Sequence, residues 1–234
     1  MRVTQSTHIG QRNENQDAMF FKEYEKGVLA IVCDGMGGGV FGKEAATLAC
    51  TTFFAAFDKL YNDWKNIENY SNWLNFAIAE ANEKVYEAAR GDVMGATCVA
   101  SFITEDTVHT VNIGDSRAYL ITKEEIKQIT TDHSHVQELY EKGLITYAET
   151  LNHPEKNILT KVLGVMPEIS SDYFKTERNG GRIMLCTDGL TNTIDDDKIL
   201  KIFNKSRKNT ISKNLTEISV LNNGKDNITV IVVD

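Results

Sequence analysis

The order of its apolar runs is what most constrains how this chain can fold. Ten short runs rich in apolar and β-branched residues are bounded by turn-forming residues: 2–8, 18–21, 28–33, 97–103, 108–113, 117–121, 126–129, 171–174, 182–186 and 228–233. Each has the length and composition of a β-strand. Between them, Ala46, Ala49, Cys50, Phe53, Phe57, Leu60, Tyr61 and Trp64 recur at threes and fours, as do Leu74, Ala77, Ala81, Val85 and Ala88. That spacing is the helical period, and shorter helical stretches cover 195–203 and 211–221. Strands and helices come in blocks rather than in β-α alternation, which predicts an α+β layered fold over a parallel doubly wound sheet. The connections 104–106 and 114–116 are short enough to predict antiparallel neighbours on either side. There are only two prolines (Pro154 and Pro167), no low-complexity linker and no repeat, so residues 1–234 are expected to form one domain.

Charge and cysteine usage narrow the function classes. Acidic side chains outnumber basic ones by 33 to 25, a net charge of −8 that argues against a nucleic-acid or anionic-membrane surface. No stretch approaches the roughly 18 apolar residues of a membrane span. The opening residues lack the basic-then-apolar pattern of a secretory signal. Cys33, Cys50, Cys98 and Cys186 lie far apart inside apolar runs, as reduced small hydrophobes of a cytoplasmic protein would, and no CxxC pair points to zinc.

The stretch Asp34-Gly35-Met36-Gly37-Gly38-Gly39-Val40-Phe41-Gly42-Lys43-Glu44 invites two phosphate-binding readings. Gly37, Gly39 and Gly42 fit GxGxxG, and Gly37, Gly42 and Lys43 fit GxxxxGK. Neither survives. A P-loop needs Ser or Thr after the lysine, where this chain has Glu44. A dinucleotide fold needs an acidic residue closing a second strand about 20 positions on. Here that distance ends in a helix, where Asp58 reads as a surface residue.

A set of aspartates carries more. Asp34, Asp188 and Asp115 each follow an apolar run and adjoin glycine, Asp226 precedes the last run, and Asp17 precedes the run that starts at Ala18. One Asp-Gly pair is a turn signal. Five carboxylates at strand ends, where a sheet can aim them at one cleft, repel one another unless a cation neutralises them. Oxygen-only ligands suit Mg²⁺ or Mn²⁺, and two such ions make a site for in-line displacement at phosphorus.

The order of eight blocks then identifies a resemblance. These are Arg12-Asn13-Glu14-Asn15-Gln16-Asp17, Asp34-Gly35-Met36-Gly37-Gly38, Gly95-Ala96-Thr97, Gly114-Asp115-Ser116-Arg117-Ala118-Tyr119, Thr131-Asp132-His133-Ser134, Leu159-Thr160-Lys161-Val162-Leu163-Gly164, Cys186-Thr187-Asp188-Gly189-Leu190 and Asp226-Asn227-Ile228-Thr229-Val230. From residue 2 to 233 the chain resembles the metal-dependent protein phosphatases of type 2C in their compact bacterial form. The resemblance implies a four-layer α-β-β-α sandwich, with two central antiparallel sheets and a binuclear Mn²⁺ or Mg²⁺ centre at one end. It implies hydrolysis of phosphoserine and phosphothreonine on proteins by a metal-bridged water attacking phosphorus in line, counteracting a Ser/Thr kinase. By position, Asp34 would bridge both metals, the Gly35 carbonyl would hold the second, and Asp188 and Asp226 the first. Asp17 would belong to the metal site and orient the metal-bound water, and Arg12 would clamp the phosphate, a task suited to a planar guanidinium. Asp115, with Asp188, would hold a third, weaker ion.

Three positions depart from the family pattern. Gln16 stands where many members have Glu, Met36 where eukaryotic members have His, and Gly39 where bacterial members often have His. They keep alive a rival reading, a catalytically weak phosphoprotein-binding regulatory module of the same fold. Among the remaining residues, His133 is read as a packed turn residue beside a helix N-cap at Thr131, Asp132 or Ser134. Asp195-Asp196-Asp197 is read as a helix start. Residues 140–159, charged and turn-rich, match the family's mobile flap, which is expected to bear on substrate choice.

Overall fold

The structure is a computed structural model that describes residues 1–37, 40–64 and 66–234. Two antiparallel sheets lie face to face. The first has the order β1 (Val3–His8), β11 (Ile228–Val233), β10 (Arg182–Cys186), β7 (Arg117–Ile121), β8 (Ile126–Gln128). The second has the order β2 (Asp17–Tyr24), β3 (Gly27–Met36), β5 (Cys98–Ile103), β6 (Thr107–Ile113), β9 (Asp172–Glu177), with the two-residue β4 (Gly95–Ala96) also pairing β3. All ten expected strands form, and β4 is the addition.

Strands buried on both faces read as unbroken apolar runs. In β3, Val28, Ala30 and Val32 join the layer between the sheets with Ala118, Ile183, Leu185 and Ile231. The alternate residues Leu29, Ile31 and Cys33 face a second layer built from α1 (Val40–Trp64) and α2 (Tyr70–Ala89). There Phe53 and Phe57 are fully buried, each stabilising the fold by roughly 1.5–3 kcal/mol. On the far side, Val230 and Val232 of β11 meet Ile199, Ile202 and Phe203 of α6 (Asp196–Lys205) and Leu215 of α7 (Ile211–Leu221). The result is the expected α-β-β-α sandwich. Asp195 caps α6 through Lys198 N, as the acidic run predicts. All four cysteines are free and buried. Among the described residues no helix is long and apolar enough to cross a membrane.

One expectation fails. The turn at Gly114-Asp115-Ser116 does not make β6 and β7 hydrogen-bonded neighbours; it carries the chain from one sheet to the other. Both edges of β6 are already taken, by β5 and β9. Gly114 adopts φ +95°, and a Cβ there would sit 2.5 Å from Thr97 Cγ2, so the turn leaves β6 packed tightly against the start of the neighbouring β5. His133 holds it: Gly114 N donates to His133 Nδ1 at 3.0 Å and His133 N to Gly114 O at 2.9 Å. Asp115 is thereby presented at the seam between the sheets.

Candidate metal centre

The register of β2 on β3 places Asp17 directly opposite Asp34. Like charges facing across an antiparallel pair destabilise it, so this pairing needs a counter-charge. Asp34 lies inside β3 rather than after it, fixed by Asp34 N donating to Thr97 Oγ1 (2.9 Å) and Thr97 N donating to Asp34 O (2.8 Å). Thr97 Oγ1 in turn meets Ser116 Oγ at 2.7 Å, joining Asp34 to the turn that bears Asp115. Asp188 opens a one-turn helix, α5 (Asp188–Thr191), rather than an extended strand end, and Asn192 Nδ2 donates to its Oδ2 at 2.8 Å.

Asp226 leads into β11. Asn227, beside it and buried, accepts from Gln16 N (2.8 Å) and donates to Ile9 O and Glu14 O, tying down the loop that carries Arg12. Arg12 grips Asp226 with two bonds, Nε to Oδ1 at 3.0 Å and Nη2 to Oδ2 at 2.8 Å. Arg117, by contrast, is locked against Asp132 at 2.6–3.0 Å in a well-covered pair. The expected site residues Asp17, Asp34, Asp115 and Asp188 are thus gathered where the two sheets meet, with Asp226 and Arg12 paired at the edge.

The five aspartates are half-buried, and their electrostatics are those of a site short of positive charge. Burial raises Asp17 from its ordinary 3.8 to about 7, against the pull of hydroxyl hydrogen bonds. Burial and the facing Asp17 push Asp34 well up, burial and Asp188 do the same to Asp115, and burial with Asp226 raises Asp188. Asp17 Oδ1 and Asp188 Oδ1 are buried without a hydrogen-bond partner. Buried orphan acceptors call for an explanation, and an all-oxygen set fits a hard divalent cation. As placed, no three His, Cys, Asp or Glu side chains among the described residues close onto a single point. Gly35, whose backbone carbonyl the resemblance implies as a further donor, follows Asp34 within β3. A Cβ on Gly35 would meet Gly42 O at 1.9 Å, so only glycine lets the end of β3 and the start of α1 approach so closely.

A cleft of about 570 Å³ opens beside Asp115 and Asp188; Asp17 and Asp34 lie outside its lining. One wall carries Asn192 and Asp195, the other Tyr147, Leu151 and Lys156. Lys156 Nζ donates across it to Asn192 Oδ1 at 3.0 Å. The second wall belongs to residues 140–159. Their large apolar side chains Tyr140, Leu144, Tyr147, Leu151 and Ile158 are present but turned to solvent. At the base of this wall, Ser134 caps α3 (His135–Glu141), one of the caps the sequence offered. His133 is buried in the turn and is not among the residues that line the cleft. Met36 ends β3 on the surface, Gln16 lies against Gly42, and Gly38 and Gly39 fall outside the described residues.

Sequence reasoning did not single out Thr97, Ser116, Thr187, Asn192 or Asn227, which hold the carboxylates. The one available signal was a hydroxyl or amide residue directly flanking three of the aspartates, Asp115, Asp188 and Asp226: Ser116, Thr187 and Asn227.

Comparison with known proteins identifies the family and the fold. A model of the family described as Protein phosphatase 2C matches residues 4–218. The serine/threonine phosphatase Stp of Listeria innocua is 34% identical over 231 residues, covering 95% of this chain and 91% of its own. The crystal structure of the serine/threonine phosphatase Stp1 from Staphylococcus aureus superposes with a TM-score of 0.87 at 33% identity, covering 98% of this chain and 93% of its own. The catalytic domain of the phosphatase PstP, solved with two manganese ions, gives 0.84 at 28% identity, covering 99% and 96%. The chain therefore belongs to the protein phosphatase 2C family, in its bacterial serine/threonine phosphatase branch.

Proposed function

We propose that residues 1–234 act as one catalytic domain that hydrolyses phosphoserine and phosphothreonine esters on proteins, with two Mn²⁺ or Mg²⁺ ions and a weaker third. The observation that carries this reading is the Asp17–Asp34 pair facing across one ladder, with orphaned oxygens on Asp17 and Asp188 beside it. The manganese in the PstP structure supports the choice of ion. Asp34, the Gly35 carbonyl, Asp188 and Asp226 would hold the pair with Asp17 beside them in the metal site, and Asp115 with Asp188 would hold the third. When bound, such ions neutralise the carboxylates and supply Lewis acidity toward water and the phosphoryl oxygens.

The chain's own residues have three tasks. Arg12 binds the phosphate: its two donors already grip two carboxylate oxygens, and a phosphoryl group offers the same spacing. That pair is exposed, so exchanging Asp226 for phosphate costs little, about 0–1 kcal/mol. Arg117, held by Asp132, stays in place. Asp17 orients the attacking water and accepts its proton at Oδ1. The water oxygen bonds to phosphorus as the ester P–O bond breaks in line, and the serine or threonine oxygen leaves with a proton from solvent. The protein is returned as the free alcohol, reversing the product of a Ser/Thr kinase. Four reduced, buried cysteines support a cytoplasmic setting.

The test is aryl-phosphate hydrolysis by the purified chain in Mn²⁺, in EDTA, and by Asp34→Asn and Asp188→Asn in Mn²⁺. The reading expects turnover in the first condition alone. Folded wild type that binds Mn²⁺ but hydrolyses neither this ester nor a phosphothreonine peptide would favour the regulatory module.

A further inference from the structure

We propose that Thr187 is a positioning residue that aims Asp17 from the opposite sheet. The inference rests on the phosphatase reading of the aspartate site. Thr187 follows β10 in the first sheet, Asp17 opens β2 in the second, and Thr187 is fully buried. It stands at the N-cap of α5 with extended backbone, where a threonine normally spends its hydroxyl on the helix's own free amides. Here it makes no side-chain cap bond. A local rule broken without local compensation points to a use elsewhere.

That use is visible in the hydrogen bonds. Thr229 N donates to Thr187 Oγ1 at 3.0 Å, and Thr187 N donates to Thr229 O at 3.1 Å. With an amide proton occupying one lone pair, the hydroxyl's single proton goes to Asp17 Oδ2, 3.1 Å away. Thr229 is itself held by Thr7, hydroxyl to hydroxyl at 2.8 Å, and Asn15 binds Thr7 Oγ1 and Asp17 N together. The consequence for Asp17 is specific. Oδ2 is committed to Thr187, with the Thr229 hydroxyl also close to the carboxylate, Oδ1 is buried without a hydrogen-bond partner, and the carboxylate cannot turn over without breaking the Thr187 bond. Because Thr187 directly precedes Asp188, one residue sets the spacing of two site carboxylates that belong to different sheets.

Three variants separate aiming from simple knitting of the sheets: Thr187→Val, which keeps the shape and loses the hydroxyl; Thr187→Ala, which leaves room for a water to satisfy Thr229 N; and Thr187→Ser, which keeps the hydroxyl. Mn²⁺ titration calorimetry and aryl-phosphate kinetics on the whole chain are the readouts, with melting temperature as the control. The Val and Ala variants are expected to bind Mn²⁺ about 10- to 100-fold more weakly, the usual cost of losing a residue that orients a ligand, and to lose kcat more than KM. Thr187→Ser is expected within about threefold of wild type. If Val does not fold, Ala carries the test. In an Asp17→Asn background, Thr187→Ala should add no further loss, because its effect passes through Asp17. Folded Val or Ala variants with wild-type Mn²⁺ binding and kcat, or losses that add fully to those of Asp17→Asn, would overturn the inference. Wild type that neither binds Mn²⁺ nor hydrolyses the ester would instead overturn the phosphatase reading beneath it.

Discussion

The floor of the site and the wall at residues 140–159 hold their backbones in opposite ways. On the floor, Asp34 N, Gln16 N and Thr229 N are bound by Thr97, Asn227 and Thr187, side chains 63, 211 and 42 residues away in sequence. On the wall, Thr146 and Glu149 form a capping box, Gly143 N binds Tyr140 O, and Lys156 N binds His153 O, all within a few residues; only at its far end does the backbone reach further, where His135 N donates to Ile158 O and Leu159 pairs with Ser134. Its helices α3 and α4 (Tyr147–Thr150) have seven and four residues and bury only Val136 between them. A floor knit by distant contacts opens only with the whole fold, whereas a wall held mostly by local bonds, with exposed apolar groups, sits at the low end of local stability. Chemistry needs the first and access of a protein substrate needs the second.

The sharpest way to break this comparison is Asp34→Asn. Losing one fixed charge of a reaction centre costs roughly a hundredfold to a thousandfold. Mn²⁺-dependent hydrolysis should fall by that much, while the chelated variant melts a few degrees higher because a buried repulsion is gone. A variant that keeps its turnover would remove Asp34 from the floor.

Gly35→Ala comes next. Its methyl would lie 1.9 Å from Gly42 O, a backbone atom that cannot rotate away, so at least about 2 kcal/mol of overpacking is expected. Chemical denaturation reads it as a lowered midpoint.

A third prediction uses pH, because floor and wall titrate with opposite sign. Asp17 rises from 3.8 to about 7 on folding. Its contribution to stability is then complete below pH 3.8 and is lost as pH climbs through about 7. Asp34, Asp115 and Asp188 shift the same way. Glu149 is lowered from 4.5 by its bonds from Thr146, so its small contribution is present above 4.5 and is lost as pH falls. In EDTA the melting temperature should drop between about pH 5 and 8, less steeply in Asp17→Asn, and Mn²⁺ should restore it most at the alkaline end. A flat profile in EDTA would mean the carboxylates are not crowded.

The smallest effect belongs to the wall. Tyr147→Ala and Leu144→Ser remove exposed side chains and should change stability by no more than about 0.5 kcal/mol. Cooperative loss of structure in either would show that the wall is part of the rigid floor.

Most of the layering was legible because alternation is written residue by residue: Val28, Ala30 and Val32 against Leu29, Ile31 and Cys33 already describe a strand covered on both faces. The aspartates were legible because carboxylates beside glycine at strand ends are costly without a purpose. The path of the Gly114–Ser116 turn was not, since a three-residue connection fits a hairpin equally well until the partners of β6 are known. Nor was the work of Thr187: alone, a threonine before Asp-Gly reads as a helix cap, and only the fold brings Asp17 and Thr229 to it. The Arg12–Asp226 pair was hidden for the same reason, as 214 residues separate its members.

The central claim is that the floor is a binding site for hard divalent ions that Asp34 would help to hold. Calorimetric titration of Mn²⁺ into the chelator-stripped chain, wild type against Asp34→Asn, tests it most directly. The account predicts at least two ions per wild-type chain and the loss of both tight sites in the variant. The same stoichiometry and affinity in both proteins would contradict it.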